Sequence, residues 1–289
     1  MKLAKGGWVW FCFIFALIAL RPASTLGITI RDDVPDSRYL SLAQSPDYAS
    51  VGTFVPNGGY SGSGVLIAPD WVLLSAHEVW LATSGTFTIG GISYNSSQLY
   101  RDPAWNSNNS LAGNDFGLVH LSSSVTAIPP AMLYTGSSEL GQVGTYVGYG
   151  LTGTGLTGYI TSADGQERAC QNVLDRTLGN PSLLIGSGFY DPATTPGALP
   201  LEGCVAPGDS GGGLFVTIDA QTYLAGIISL VASTNGTTAT SVYGNVSGAG
   251  LVSAAMPWIT SVVPEPSTSS LLLGAGLVAL ARRQIRRKP

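Results

Sequence analysis

A serine in a turn of glycines, a histidine at a strand end and an aspartate at a strand start are the residues of this 289-residue chain that could do chemistry together. The serine lies in Pro207-Gly208-Asp209-Ser210-Gly211-Gly212-Gly213, directly before the apolar run Leu214-Phe215-Val216. Glycine permits positive φ and close approach of a substrate. Ser210 can therefore expose its hydroxyl, while the Gly208 and Ser210 amides point at a developing oxyanion. A hydroxyl is a weak nucleophile until a base takes its proton and a third group orients that base. The chain has two histidines. His77 ends the apolar run Trp71-Val72-Leu73-Leu74-Ser75-Ala76, and Asp115 opens another in Asn114-Asp115-Phe116-Gly117-Leu118-Val119. The chemistry is acyl transfer: Ser210 as nucleophile, His77 as general base and acid, Asp115 holding the imidazole tautomer. His120, five residues past Asp115, reads as a strand-edge or surface histidine. Two histidines with no cysteine or carboxylate cluster offer no zinc site, and no metal or organic cofactor is expected.

Strands must carry these groups. The chain holds 38 glycines, only 10% of its residues are charged, and short apolar runs alternate with Gly, Pro, Asn and Ser. That pattern predicts an all-β body rich in tight turns. Gly62 to Ile67 and Trp71 to Ser75 read as strand, turn, strand around Ala68-Pro69-Asp70; Thr86 to Tyr94 reads as a hairpin about Gly90-Gly91. Between residues 28 and 262 five arginines face sixteen acidic residues, a net charge of −11, and there is no lysine. So acidic a body repels polyanions, which excludes nucleic acid as a partner class.

Ordered His77, Asp115, Ser210, the three boxes resemble the trypsin/chymotrypsin-like serine proteases, which share that chain order. The similarity runs over nearly all of residues 50 to 262. It implies two six-stranded antiparallel β-barrels with a short C-terminal helix around Pro257-Trp258-Ile259, and a cleft between the barrels. It also implies a serine endopeptidase acting on a protein or peptide substrate. Ser229, Leu230 and Val231 match the segment that lines the family's substrate cleft, and Ser229 matches a serine that bonds the triad aspartate. Cys204, six residues before Ser210, matches the pocket base where basic-specific relatives carry Asp, so a small or apolar substrate side chain is expected. Gly62 and Glu78 depart from the family: they stand where it often has a disulfide pair. Asp209 matches the residue that pairs with an amino terminus freed by zymogen cleavage. No Ile-Val-Gly-Gly start is present, leaving Ile28 or Arg31 as its partner. The alternative function is a non-hydrolysing binding module on the same fold, although no triad position is substituted.

Both ends read as addresses. Residues 1–27 have the form of a signal peptide: Lys2 and Lys5, an apolar stretch from Trp8 to Leu20, then Arg21-Pro22-Ala23-Ser24. Residues 28–262 form the protease-like body. Residues 263–289 begin Val263-Pro264-Glu265-Pro266, continue apolar from Leu271 to Ala281, and close on Arg282-Arg283-Gln284-Ile285-Arg286-Arg287-Lys288. This tail resembles the PEP-CTERM sorting signal of Gram-negative bacteria, which implies an exosortase-like processing enzyme as partner. Eleven apolar residues are marginal for spanning, and the basic cluster should remain cytoplasmic. Transient membrane attachment and delivery to the cell envelope or beyond are expected. Export suits a disulfide between Cys170 and Cys204, the two cysteines left once Cys12 departs with the leader; the alternative is two buried thiols.

Overall fold

In the computed structural model, residues 27–160, 164–234, 236 and 238–264 are described. Apart from Gly27, Val263 and Pro264, the expected signal peptide and sorting tail lie outside them. Among the described residues no helix is long and apolar enough to cross a membrane.

The chain enters through β1 (Thr29–Ile30) and helix α1 (Asp36–Ala43). Six strands follow: β2 (Val51–Pro56), β3 (Gly62–Ala68), β4 (Trp71–Leu74), β5 (Gly85–Ile89), β6 (Ile92–Arg101) and β7 (Gly117–Leu121). They close into a barrel of order β2-β3-β4-β7-β6-β5, every pair antiparallel. Phe54, Leu66, Val72, Leu74, Phe87 and Val119 fill it and are completely buried. Closure removes every free edge.

The second half contains β8 (Val143–Gly148), β9 (Gly153–Thr154), β10 (Gly158–Tyr159), β11 (Arg168–Val173), β12 (Arg176–Leu178) and β13 (Leu184–Gly188). It goes on with β14 (Gly203–Cys204), β15 (Gly213–Ile218), β16 (Gln221–Ser233), β17 (Asn245–Leu251) and helix α2 (Val252–Val262). The all-β class, the first barrel and the terminal helix are as expected. The second sheet differs in detail: it has seven strands in the order β11-β8-β15-β16-β17-β13-β12, without closure. A separate four-stranded sheet, β10-β9-β1-β14, lies beside it, and there the N-terminal strand pairs with β14. A third apolar cluster joins the halves, with Val65 and Leu118 of the barrel against Val147, Phe215, Ile227 and α2 residues Val252 and Ile259.

Helix α1 has no counterpart in the short-strand reading of the sequence after Ile28. Tyr39 and Ala43, one turn apart, bury its inner face. Asp36 in its first turn accepts two bonds from the buried Arg168 guanidinium, each 2.7 Å, and Asp164 accepts two more from the same guanidinium. An arginine buried without such partners would be severely destabilising. Tertiary pairing decides this helix.

Candidate active site

Strand β4 delivers His77 in a single tight turn, Ala76–Glu78, at the barrel rim. Asp115 comes from the adjacent strand, since Leu74 pairs with Gly117. Asn114 takes φ 59° and the Phe116 amide bonds back to the Asn114 carbonyl (2.8 Å), so Asp115 stands at the apex of a three-residue turn. Asparagine tolerates that left-handed conformation better than most residues. The carboxylate then grips the histidine twice: Oδ1 accepts the His77 backbone N–H at 3.0 Å and Oδ2 meets Nδ1 at 2.7 Å. Ser229 Oγ donates to the same Oδ2 at 2.6 Å. Ser229 reaches it because β16 bulges there: Ile228 pairs with Ala249 and Leu230 with Gly248, leaving Ser229 as the extra residue. Asp115 is only 5% exposed, the imidazole 37%. The imidazole is anchored on its inner side and open on its outer side.

The serine comes from the other half. Gly208 at φ 92° and Gly211 at φ 78° bracket the turn, conformations that a side chain would strain. Asp209 N–H bonds Ala206 O at 3.0 Å, and Gly212 N–H bonds Asp209 O at 2.9 Å. The Gly208 and Ser210 amides make no hydrogen bond among the described residues. Both amides are therefore left available as donors on the serine turn. Ser210 Oγ carries no hydrogen bond to the imidazole in this structure, but His77, Ser210 and Gly208 line one cleft of about 420 Å³. Tyr60, Trp80 and Leu81 also line it.

Asp209 is wholly buried, and the structure decides its partner. It accepts from the amides of Ile28 (3.0 Å), Gly150 (2.8 Å) and Ala206 (2.8 Å). Arg31 instead pairs with Asp33 and the Leu199 carbonyl. Three amides do not offset the loss of water, so burial pushes the Asp209 carboxyl up to about 7. Ile28 itself sits at φ 62°, a strained conformation for a β-branched residue.

Two expectations are corrected. Cys170 and Cys204 are free thiols, both fully buried. The residue that faces Cys170 is Gly203, where a side chain would meet Cys170 Cβ at 2.6 Å and Sγ at 3.0 Å. Successive strand residues point to opposite faces, so Cys204 turns the other way and accepts from Ser247 Oγ at 3.6 Å. Burial pushes its thiol up to about 12, and that of Cys170 well above the ordinary range. Cys204 is also not among the residues that line the cleft: it is fully buried and its backbone pairs with Thr29 of β1. Leu230 and Val231 do follow Ser229 on β16, both half-buried. His120 is clear of the site, stacked on Trp71 and bonded to Asp70 and Ser97.

Ser63 has no part in the expectations from sequence, and Glu78 enters them only as a departure from the family pattern. Ser63 N–H donates to Ser210 O at 2.8 Å and its hydroxyl to Gly208 O at 3.1 Å, while the Tyr149 amide donates to that hydroxyl. The only signal was the pair of glycines around it, which admits the serine turn.

A family model for Trypsin matches residues 44–259, most of the chain. The chain belongs to the trypsin family. The PEP-CTERM protein-sorting motif matches residues 262–288, immediately after that domain. No curated protein matches the sequence. This trypsin-family chain thus carries an export and sorting tail directly behind the helix that completes its fold.

Proposed function

We propose that the protein is a serine endopeptidase of the cell envelope or exterior, working through Ser210, His77 and Asp115. The observation that carries this reading is the chain of bonds Ser229–Asp115–His77 running to a cleft that Ser210 and two unbonded amides share. His77 Nε2 takes the Ser210 proton as Oγ attacks the peptide carbonyl, and Asp115 stabilises the resulting imidazolium. The Gly208 and Ser210 amides hold the oxyanion. The imidazolium returns the proton to the leaving amine, and water then releases the acyl group by the same steps in reverse. Labelling with a serine-directed fluorophosphonate tests the reading: wild type should react and Ser210→Ala should not. Failure of wild type to react in every processed form would favour a binding module instead.

The competent form, in this reading, begins at Ile28. Cutting after Gly27 would relieve the strained φ and turn the amide facing Asp209 into an ammonium that neutralises it. An exosortase-like enzyme would act at the other end, near Pro264-Glu265-Pro266, after the apolar run has held the body briefly at the inner membrane. Mass spectrometry of the exported protein should find both new termini; an intact Pro289 in the membrane fraction would mean the tail is a permanent anchor.

A further inference from the structure

One half-buried glutamate beside the site, with a sealed carboxyl oxygen, is not used by the proposed chemistry. Glu78 follows His77 in the same tight turn and borders the cleft, while its carboxyl runs back toward β3 and the serine turn. It fills the seam between β3 and the serine turn. A side chain at Gly62 would overlap Glu78 Oε1 and come within 3.1 Å of the Ser210 carbonyl oxygen. One at Gly211 would collide with both Glu78 Oε2 and the Ser63 carbonyl oxygen. Two glycines, one on each wall, therefore make the space this carboxyl occupies. Three segments meet on it: the histidine turn, β3 and the serine turn.

We propose that the Glu78 carboxyl, as its neutral acid, is a positioning strut that sets the distance between the His77 turn and the Ser210 turn. Oε2 is sealed from solvent and finds no hydrogen-bond partner, which is costly for an ionised oxygen but natural for the O–H of an acid beside the Ser63 carbonyl. Burial, and then the charge on Asp115, hold the carboxyl well above the ordinary carboxylate range; the Ser75 hydroxyl and the Ser75 and Ser63 amides oppose that only in part. The charged neighbours are few. His77 projects from the same turn, Asp115 acts from the start of β7, and the two glycine walls contribute no titratable side chain. Asp209 points away, to Ile28, Gly150 and Ala206. Ionising Glu78 would set a second negative charge in a sealed seam beside Asp115, and the strut would be expelled. At this place in the family a disulfide often ties the same two positions; here a proton-dependent contact does so.

The proposal rests on the peptidase reading for one of its two arms. In the first arm, kcat and KM for peptide hydrolysis are followed from neutral to alkaline pH. Glu78→Ala should lower kcat on the order of 10²-fold with little change in KM, the cost of slight misplacement of reacting groups. Glu78→Gln, neutral and of the same shape, should retain most of kcat and lose the wild-type decline toward alkaline pH. The second arm needs no turnover. Because the folded-state value is raised, the stability Glu78 contributes is lost as pH rises through it. The wild-type melting temperature should therefore fall toward alkaline pH more steeply than that of Glu78→Gln. Identical pH dependence of melting in wild type and Glu78→Gln would overturn the strut, as would an unimpaired kcat in Glu78→Ala. Should wild type prove inactive, the peptidase reading fails while the melting comparison still decides Glu78. Should the alanine variant not fold, the glutamine variant decides both arms.

Discussion

The two sides of the cleft hold their reactive groups by different means. On the histidine side a closed barrel brings His77 and Asp115 onto neighbouring strands, and the carboxylate has three donors, one of them the imidazole. On the serine side the turn rests on Asp209, which is buried with three neutral amides and no counter-charge. One of those amides belongs to Ile28, far off in the sequence and beside the expected leader junction. The histidine side is complete as the chain folds. If the proposed cut after Gly27 occurs, the serine side would gain at Ile28 the counter-charge that Asp209 lacks.

The largest effect is expected from removing the triad. Ser210→Ala or His77→Ala should lower kcat on the order of 10⁶-fold with circular dichroism unchanged. Residual turnover within tenfold of wild type in either variant would sink the mechanism. Asp115→Asn should cost about 10⁴-fold, because the imidazole is then held in the wrong tautomer.

Stability against pH sharpens the serine side. In the chain still joined at Gly27, Asp209 has its carboxyl raised to about 7, so its ionisation opposes folding. The stability it contributes is present below its unfolded value of about 4 and is lost as pH rises through 7. The shift corresponds to about 4 kcal/mol for a fully buried group. Release of Ile28 reverses the sign, since an ammonium beside the carboxylate favours the charged form and the contribution then disappears on acidification. Denaturant unfolding of the two forms across this range measures it; parallel profiles would refute a role for the Ile28 amine.

Smaller effects come from the supports. Ser229→Ala removes a bond to a charged group, typically about 1.5–3 kcal/mol, and should lower kcat roughly tenfold by loosening Asp115. A loss as great as that of Asp115→Asn would mean Ser229 does more than orient. Smallest of all is the effect of reductant. With Cys170 and Cys204 free, thiol titration of the unfolded, unreduced body should find two, and reductant should leave the melting temperature unchanged.

Side-chain chemistry and local backbone freedom were legible in the linear sequence. A serine among glycines, one histidine ending an apolar strand and one aspartate opening another declare themselves because each needs a specific residue type at a specific local conformation. The tail was legible for the same reason: a proline box, a short apolar run and a basic end are read by composition alone. What tertiary structure decided were contacts between residues distant in the chain. Which group meets Asp209 depends on the path of β1, so Ile28 and Arg31 could not be separated beforehand. The cysteine pair looked bridgeable until the pleat of β14 turned Gly203, and not Cys204, toward Cys170. Helix α1 is held by partners far along the chain: Asp36 bonds Arg168, more than a hundred residues on. Glu78 illustrates the limit best: its role depends on the two glycine walls that the fold brings around it, a coincidence no spacing in the sequence records.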